Sequence, residues 1–158
     1  MTREQTAVAD TRQLQSGMTR DEILALFKRR QEAYEDLDAK TLAADYADGA
    51  VIESPSTGVH RGRDAEKALL TIFEALPDIT MSVDDLVIDG DVVVTVLGCE
   101  GTHMREFLGF EPTGKRFQMS MAFVHRLKDR KIIHERRIYD FTGVLVQIGV
   151  LKAKPAQT

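Results

Sequence analysis

The chain has 158 residues, 43% of them hydrophobic, and a formal net charge of −4. That is apolar material for one core and not for two, and with Lys and Arg scattered among Asp and Glu no concentrated basic face is expected for a phosphate backbone, so nucleic acid is excluded as a partner. Cys99 is the only cysteine, which rules out an intrachain disulfide and a paired-thiol zinc site; no apolar run is long enough to span a bilayer, and a cytoplasmic protein without membrane contact is expected.

Residues 1–17 are polar, lack periodicity and read as a flexible arm, with the ordered domain expected over 18–150 and a tail over 151–158. Thr19-Arg-Asp-Glu22 has the pattern of a capping box, and Ile23, Leu26, Phe27, Tyr34 and Leu37 follow at helical spacing. Asp38 is placed to cap a short second helix running to Asp45. A strand is predicted over 50–54, a turn at Pro55-Ser-Thr-Gly58, and a brief returning strand over 59–61. A third helix is predicted over 64–76 on Leu69, Ile72, Phe73 and Leu76, ended by Pro77.

Beyond Pro77 the period becomes that of strands. Asp89-Gly90 suits the positive φ angles of a two-residue hairpin turn, which pairs 82–88 with 91–97. A turn over 109–114 leads into a strand over 115–127, and Lys128-Asp-Arg-Lys131 turns it back into 131–141. Three helices followed by a long-stranded meander define an α+β fold, with the helices on one face of a strongly curved, mainly antiparallel sheet.

Gly101-Thr-His103, Phe107-Leu-Gly-Phe-Glu-Pro-Thr-Gly114, Lys131-Ile132, Asp140-Phe-Thr-Gly143 and Gln147-Ile-Gly149 together resemble the SnoaL-like polyketide cyclases of the NTF2-like superfamily. The resemblance runs over about residues 19–150 in element order, and the Pro-Thr-Gly turn and Asp-Phe-x-Gly ending are its most specific parts. It implies an NTF2-like cone with a pocket between sheet and helices, a homodimer formed through the sheet, and ring closure by an intramolecular aldol step without metal or cofactor. The chain departs from the family where the chemistry lies. Arg137 stands where those cyclases carry the Asp that removes a proton, and Phe123 where they carry a His.

With Lys128-Asp-Arg130 read as a three-residue bulged loop, Leu127 and Lys131 face each other. Met119, Met121, Phe123 and His125 then share a face with Ile133, Glu135, Arg137 and Tyr139. The match at Arg137 makes this the pocket face, and the opposite face, with Ile132, His134, Arg136 and Ile138, is left to meet a second copy. Met119, Met121 and Phe123 form a deformable apolar wall for a small hydrophobic molecule or simply belong to the core. Glu135 and Arg137 either form a structural ion pair or act together, Arg137 on an anionic oxygen and Glu135 as its orienter or as a base. Asp140 either caps the turn at Thr142-Gly143 or bends inward as a catalytic acid or base. Glu53 is a substrate contact at the pocket mouth or an exposed strand-end charge, His103 is the histidine best placed for proton transfer, and Tyr34 and Tyr139 are candidate donors to a ligand oxygen.

Three functions remain open on these residues. The first is a cofactor-independent enzyme acting on a small hydrophobic carbonyl compound by enolisation, aldol-type cyclisation or isomerisation. The second is an epoxide-hydrolase-like enzyme in which Glu135, Asp140 or Glu53 activates water beside Arg137. The third is a non-catalytic binding protein that kept the pocket.

Overall fold

The computed structural model describes residues 14–153. Helix α1 (Arg20–Glu35) opens on a reciprocal cap: Thr19 Oγ1 accepts from the Glu22 amide at 3.2 Å, and the Glu22 carboxylate accepts from the Thr19 amide at 2.8 Å. Thr19→Ala is expected to cost about 1 kcal/mol in urea denaturation, the ordinary loss for an N-cap. The helix buries Ile23, Leu26, Phe27 and Ala33, and on the same stripe Arg30. Asp38 accepts from the Thr41 amide and starts α2 (Ala39–Ala44).

Strand β1 (Tyr46–Ser54) follows at once and folds back as β2 (Gly58–Arg61); a single 3-10 turn, Gly62–Asp64, leads into α3 (Ala65–Ala75). Four long strands complete the sheet: β3 (Thr80–Asp89), β4 (Val92–Thr102), β5 (Arg116–Lys128) and β6 (Lys131–Tyr139). The chain then closes with a short helix, α4 (Phe141–Gln147). Strand order is β2-β1-β6-β5-β4-β3, and among the described residues only the β1–β6 pair is parallel. The fold is therefore α+β, a six-stranded mixed but mainly antiparallel sheet with helices packed against it.

Several local expectations are corrected. Strand β1 begins at Tyr46 rather than at residue 50, because its first half, Ala-Asp-Gly, lacks apolar alternation and is interrupted by a register shift between Tyr46 and Val51. In the β3–β4 hairpin Asp89 pairs with Val92, so the loop is Gly90-Asp91, with Gly90 at φ 59° supplying the left-handed first position. The β5–β6 loop is also two residues, Asp129 (φ 48°) and Arg130 (φ 64°), with Lys128 opposite Lys131. A bulge at Ile133 then restores the parity of β6. Ile132, expected outward, is fully buried opposite Leu127, while Glu135, Arg137 and Tyr139 keep the inward face and stand opposite His125, Phe123 and Met121.

Residues 14–17, expected within the arm, are tied to both of these turns. Asp91 accepts from the amides of Gln15 and Ser16 at 2.7 and 2.9 Å, and the amides of Asp129 and Arg130 donate to the carbonyls of Gln15 and Ser16. The rest of the arm, 1–13, and the end of the tail, 154–158, lie outside the described residues.

Candidate functional site

The inward faces of β4, β5 and β6, with α1, α3 and α4 over them, leave a narrow cavity of about 80 Å³. Its walls are Leu69, Ile72, Phe73, Leu76, Ile79 and Met81 on one side and Phe117, Met119, Met121 and Phe123 on the other, with Phe107, Phe141, Val144 and Ile148 toward one end. The alternation of β5 sets the strand wall, since every second residue from Phe117 to Phe123 points in. A wider groove of about 590 Å³ adjoins it along α3 and shares Leu69, Ile72, Phe107 and Arg137 with the cavity. Arg137 therefore stands where the two spaces meet.

Polar groups enter this apolar space at few points. Arg137 lies over the Phe123 ring, its guanidinium carbon 5.2 Å from the centroid, and donates from Nε to Glu135 Oε1 at 2.6 Å. Among the described residues its Nη groups have no hydrogen-bond partner. The buried hydroxyl of Tyr34 is also unpartnered. Burial pushes the Tyr34 hydroxyl above its ordinary pKa, so it stays a donor at neutral pH. At the other end His103, 1% exposed, lines the cavity with an unpartnered Nε2. The Tyr139 hydroxyl lies between Ser54 and Ser56, 2.9 and 2.5 Å from their hydroxyls. The Cys99 thiol also lines the wall, but burial raises its pKa to about 12, so it is no nucleophile at neutral pH.

Behind Arg137 stands a buried polar network centred on Glu135, which is 0% exposed. Its Oε2 accepts from His125 Nε2 at 3.0 Å and from the Tyr46 hydroxyl at 2.5 Å, with Arg30 Nη2 at 3.8 Å. Arg30 in turn donates to Tyr46, to the Leu42 carbonyl and, at 3.0 Å, to Asp45. Burial alone would raise the Glu135 pKa, but Arg137, His125 and Arg30 together hold its carboxyl well below the usual range. Arg137 is correspondingly held above an ordinary arginine: burial opposes its charge, and Glu135 more than compensates. Along α1 and β5 the network sits between Phe27 and Tyr34, and between Leu127 and Phe123, where one apolar cluster gives way to the other. It closes the floor of the cavity.

Of the ten residues singled out from sequence, Arg137, His103, Met119, Met121, Phe123, Tyr139 and Tyr34 line the cavity. Glu135 does not: it faces inward but is covered by Arg137, Tyr46 and His125, all of them donors to its oxygens. Asp140 is no lining residue either; it caps α4, accepting from the Gly143 amide at 2.8 Å. Glu53 points to the opposite face, because Ile52 and Ser54 on either side of it point in, and its carboxylate meets His134 at 2.7 Å. The pocket-mouth position expected for Glu53 belongs to its neighbour Ser54.

The network partners Arg30, Tyr46 and Asp45 were missed. Arg30 had a signal, since it falls on the apolar stripe of α1 between Phe27 and Tyr34, where a lone charge demands a buried partner. Helix α4 had one too, in Asp140 followed by Val144 and Ile148 at four-residue spacing. Tyr46 and Asp45 had none, lying at a helix-to-strand junction without periodicity. No group of three or more His, Cys, Asp or Glu side chains placed to hold a metal ion occurs among the described residues.

No curated protein matches the chain. Among solved structures, AclR from Streptomyces galilaeus, a proposed hydroxylase, superposes with a TM-score of 0.75 at 23% identity over 87% of this chain and 91% of its own. TsrD from Streptomyces laurentii gives 0.75 at 23% identity over 85% and 99%. IdmH from Streptomyces antibioticus, a proposed polyketide cyclase, gives 0.67 at 30% identity over 80% and 97%. The family model described as SnoaL-like polyketide cyclase matches residues 25–148. That match takes in α1 from its second turn, α2, α3, the whole sheet and α4, and with it every side chain lining the cavity: the chain belongs to the SnoaL-like polyketide cyclase family, with the NTF2-like fold.

Proposed function

We propose that the chain binds a small, largely apolar carbonyl compound and promotes its enolisation, leading to aldol-type cyclisation or isomerisation, by stabilising the enolate oxygen electrostatically. The observation that carries this reading is Arg137, largely buried at the cavity, anchored through Nε to Glu135 and with its Nη groups left for a ligand. In a largely apolar cavity such a fixed charge acts more strongly than in bulk solution, and it requires no reorganisation as the oxyanion forms. The Tyr34 hydroxyl is available as a second donor. The α-proton passes to water, the C–H electron pair becomes the enolate, and its carbon attacks a second carbonyl of the same molecule, whose oxygen takes up a proton.

Glu135 is a poor base for this step, because its carboxylate is held ionised by donors on both oxygens. The same fact weighs against water activation of the epoxide-hydrolase kind, for which a carboxylate free to hold a water is needed. Among the described residues no carboxylate lines the narrow cavity, which favours, as a second reading, binding without turnover. We also propose that the outward sheet face around Ser120, Ala122 and the half-exposed Ile138 forms a homodimer, to be checked by light scattering of wild type against Ile138→Glu.

A fluorescent phenol tests the main reading, since phenolate mimics an enolate. Bound 2-naphthol is expected to show an acidity constant raised about 10- to 1,000-fold, the range for an anion beside a fixed guanidinium, in a pH titration of its absorbance. Binding with unchanged acidity would show a merely apolar pocket.

A further inference from the structure

We infer that His103 is a fixed hydrogen-bond donor for a second oxygen of the ligand, at the opposite end of the cavity from Arg137, and not a proton-removing base. This rests on the reading of Arg137 as the site of the first, anionic oxygen. The tautomer follows from the neighbours of the ring. The Thr113 backbone amide can only donate, and it points at His103 Nδ1 at 3.3 Å, so Nδ1 accepts. The Thr113 hydroxyl, 3.2 Å from the same nitrogen, fits as a further donor. In a neutral imidazole the proton then resides on Nε2.

The loop that fixes this ring is itself held. The His103 amide donates to the Lys115 carbonyl at 2.9 Å and the Gly114 amide donates to the His103 carbonyl at 2.9 Å, so the turn carrying Thr113 is clamped on the residue whose ring it orients. With Nδ1 engaged by the loop, Nε2 is the ring atom left for the cavity. It is buried and has no partner among the described residues. A buried N–H without an acceptor costs about 1–3 kcal/mol, and a ligand carbonyl or hydroxyl oxygen would satisfy it.

The two polar groups lie at different points along the strands. Arg137 stands opposite Phe123, and Phe123 opposite Thr95, so His103 is eight residues further along the β4 segment, at most about 26 Å of extended chain. Between them the lining is apolar apart from Cys99, the tyrosine hydroxyls and the Ser54 and Ser56 hydroxyls beside Tyr139. A ligand that fills this space and satisfies both ends has an elongated apolar body, an enolisable carbonyl at one end and a neutral hydrogen-bond acceptor at the other. Compounds with only the first oxygen leave Nε2–H unpaired and are discriminated against.

Two measurements test this. Long-range ¹H–¹⁵N correlation spectra of the wild-type imidazoles are expected to show His103 protonated at Nε2 and bare at Nδ1; the reverse pattern overturns the assignment and needs no variant. Calorimetry then compares two matched pairs that differ by a remote acetyl group: 2-naphthol with 6-acetyl-2-naphthol, and 4-hydroxybiphenyl with 4-acetyl-4′-hydroxybiphenyl. In the pair whose spacing fits the cavity the acetyl compound is expected to bind about 10-fold more tightly, as suits one satisfied buried donor. His103→Phe is expected to abolish that preference and His103→Gln, which keeps a donor, to restore part of it. Binding of all four compounds without any acetyl preference, or a preference that survives His103→Phe, overturns the proposal while leaving the Arg137 reading intact. Failure of all four to bind overturns that reading, and this one with it.

Discussion

Glu135→Gln is expected to lower stability by about 3–5 kcal/mol in urea denaturation, a large share of the total for a domain of this size. The substitution keeps the shape of the side chain and removes only its charge. Arg137 then loses the carboxylate 2.6 Å from its Nε, and Arg30 loses an opposite charge at 3.8 Å, so two buried guanidiniums retain between them only Asp45. The Gln amide also presents an NH2 where His125 and Tyr46 now donate to a carboxylate, so at least one buried hydrogen bond is lost. Glu53→Gln is the control. Its carboxylate pairs with the part-exposed His134 on the open face, and a change within about 1 kcal/mol is expected.

The same carboxylate is expected to set the acid limit of the fold. The folded pKa of Glu135 lies below its unfolded value, near 4.3, so its contribution to stability is fully present above that pH and is lost as pH falls toward the folded pKa. Denaturation midpoints of the wild type should therefore fall steeply below about pH 4.3. In Glu135→Gln that part of the acid dependence is expected to be absent. An equally steep acid limb in the variant would place the proton uptake elsewhere.

Arg137→Met is expected to lower turnover of an enolisable substrate, or affinity for 2-naphtholate, about 100- to 1,000-fold, the usual effect of removing a main oxyanion donor. Methionine retains apolar contact with Phe123 and the cavity wall, so the loss is one of charge and not of packing. Stability should suffer less than in Glu135→Gln, because Glu135 keeps Tyr46, His125 and the nearby Arg30 as partners. The two substitutions on one strand thus separate function from folding: one reports the ligand, the other the floor beneath it. Equal loss of stability in both would mean that Arg137 serves the fold first.

How much of this was legible follows from what each signal depends on. The capping box at Thr19 and the cap at Asp38 are contacts between residues three apart, so the local sequence contains both partners. Alternation sorts the β5 side chains onto two faces, and the family match at Arg137 marks which of them turns inward. The β5–β6 turn, by contrast, was misread by one residue, because Lys-Asp-Arg-Lys has no glycine to mark which positions take φ above zero, and Asp129 and Arg130 both do. The parity of Glu135 and Arg137 survived only because the bulge at Ile133 returned what the shorter loop had shifted. Glu53 was assigned to the pocket one residue away from Ser54, which lines it, a full reversal of face.

The sequence by itself determined the α+β class, the family, the apolar strand wall and the presence of Arg137 and His103 in it, because periodicity, caps and a recurrent turn are properties of short stretches of chain. Only the tertiary structure decided the state of those groups. Glu135 is held ionised because donors from β1, β5 and β6 converge on its two oxygens with the Arg30 guanidinium of α1 close by, and His103 presents Nε2–H because Thr113, ten residues on, folds back to its other nitrogen. Protonation and hydrogen-bond direction depend on which groups meet in space, and for a site drawn from four elements no local stretch of sequence carries that information.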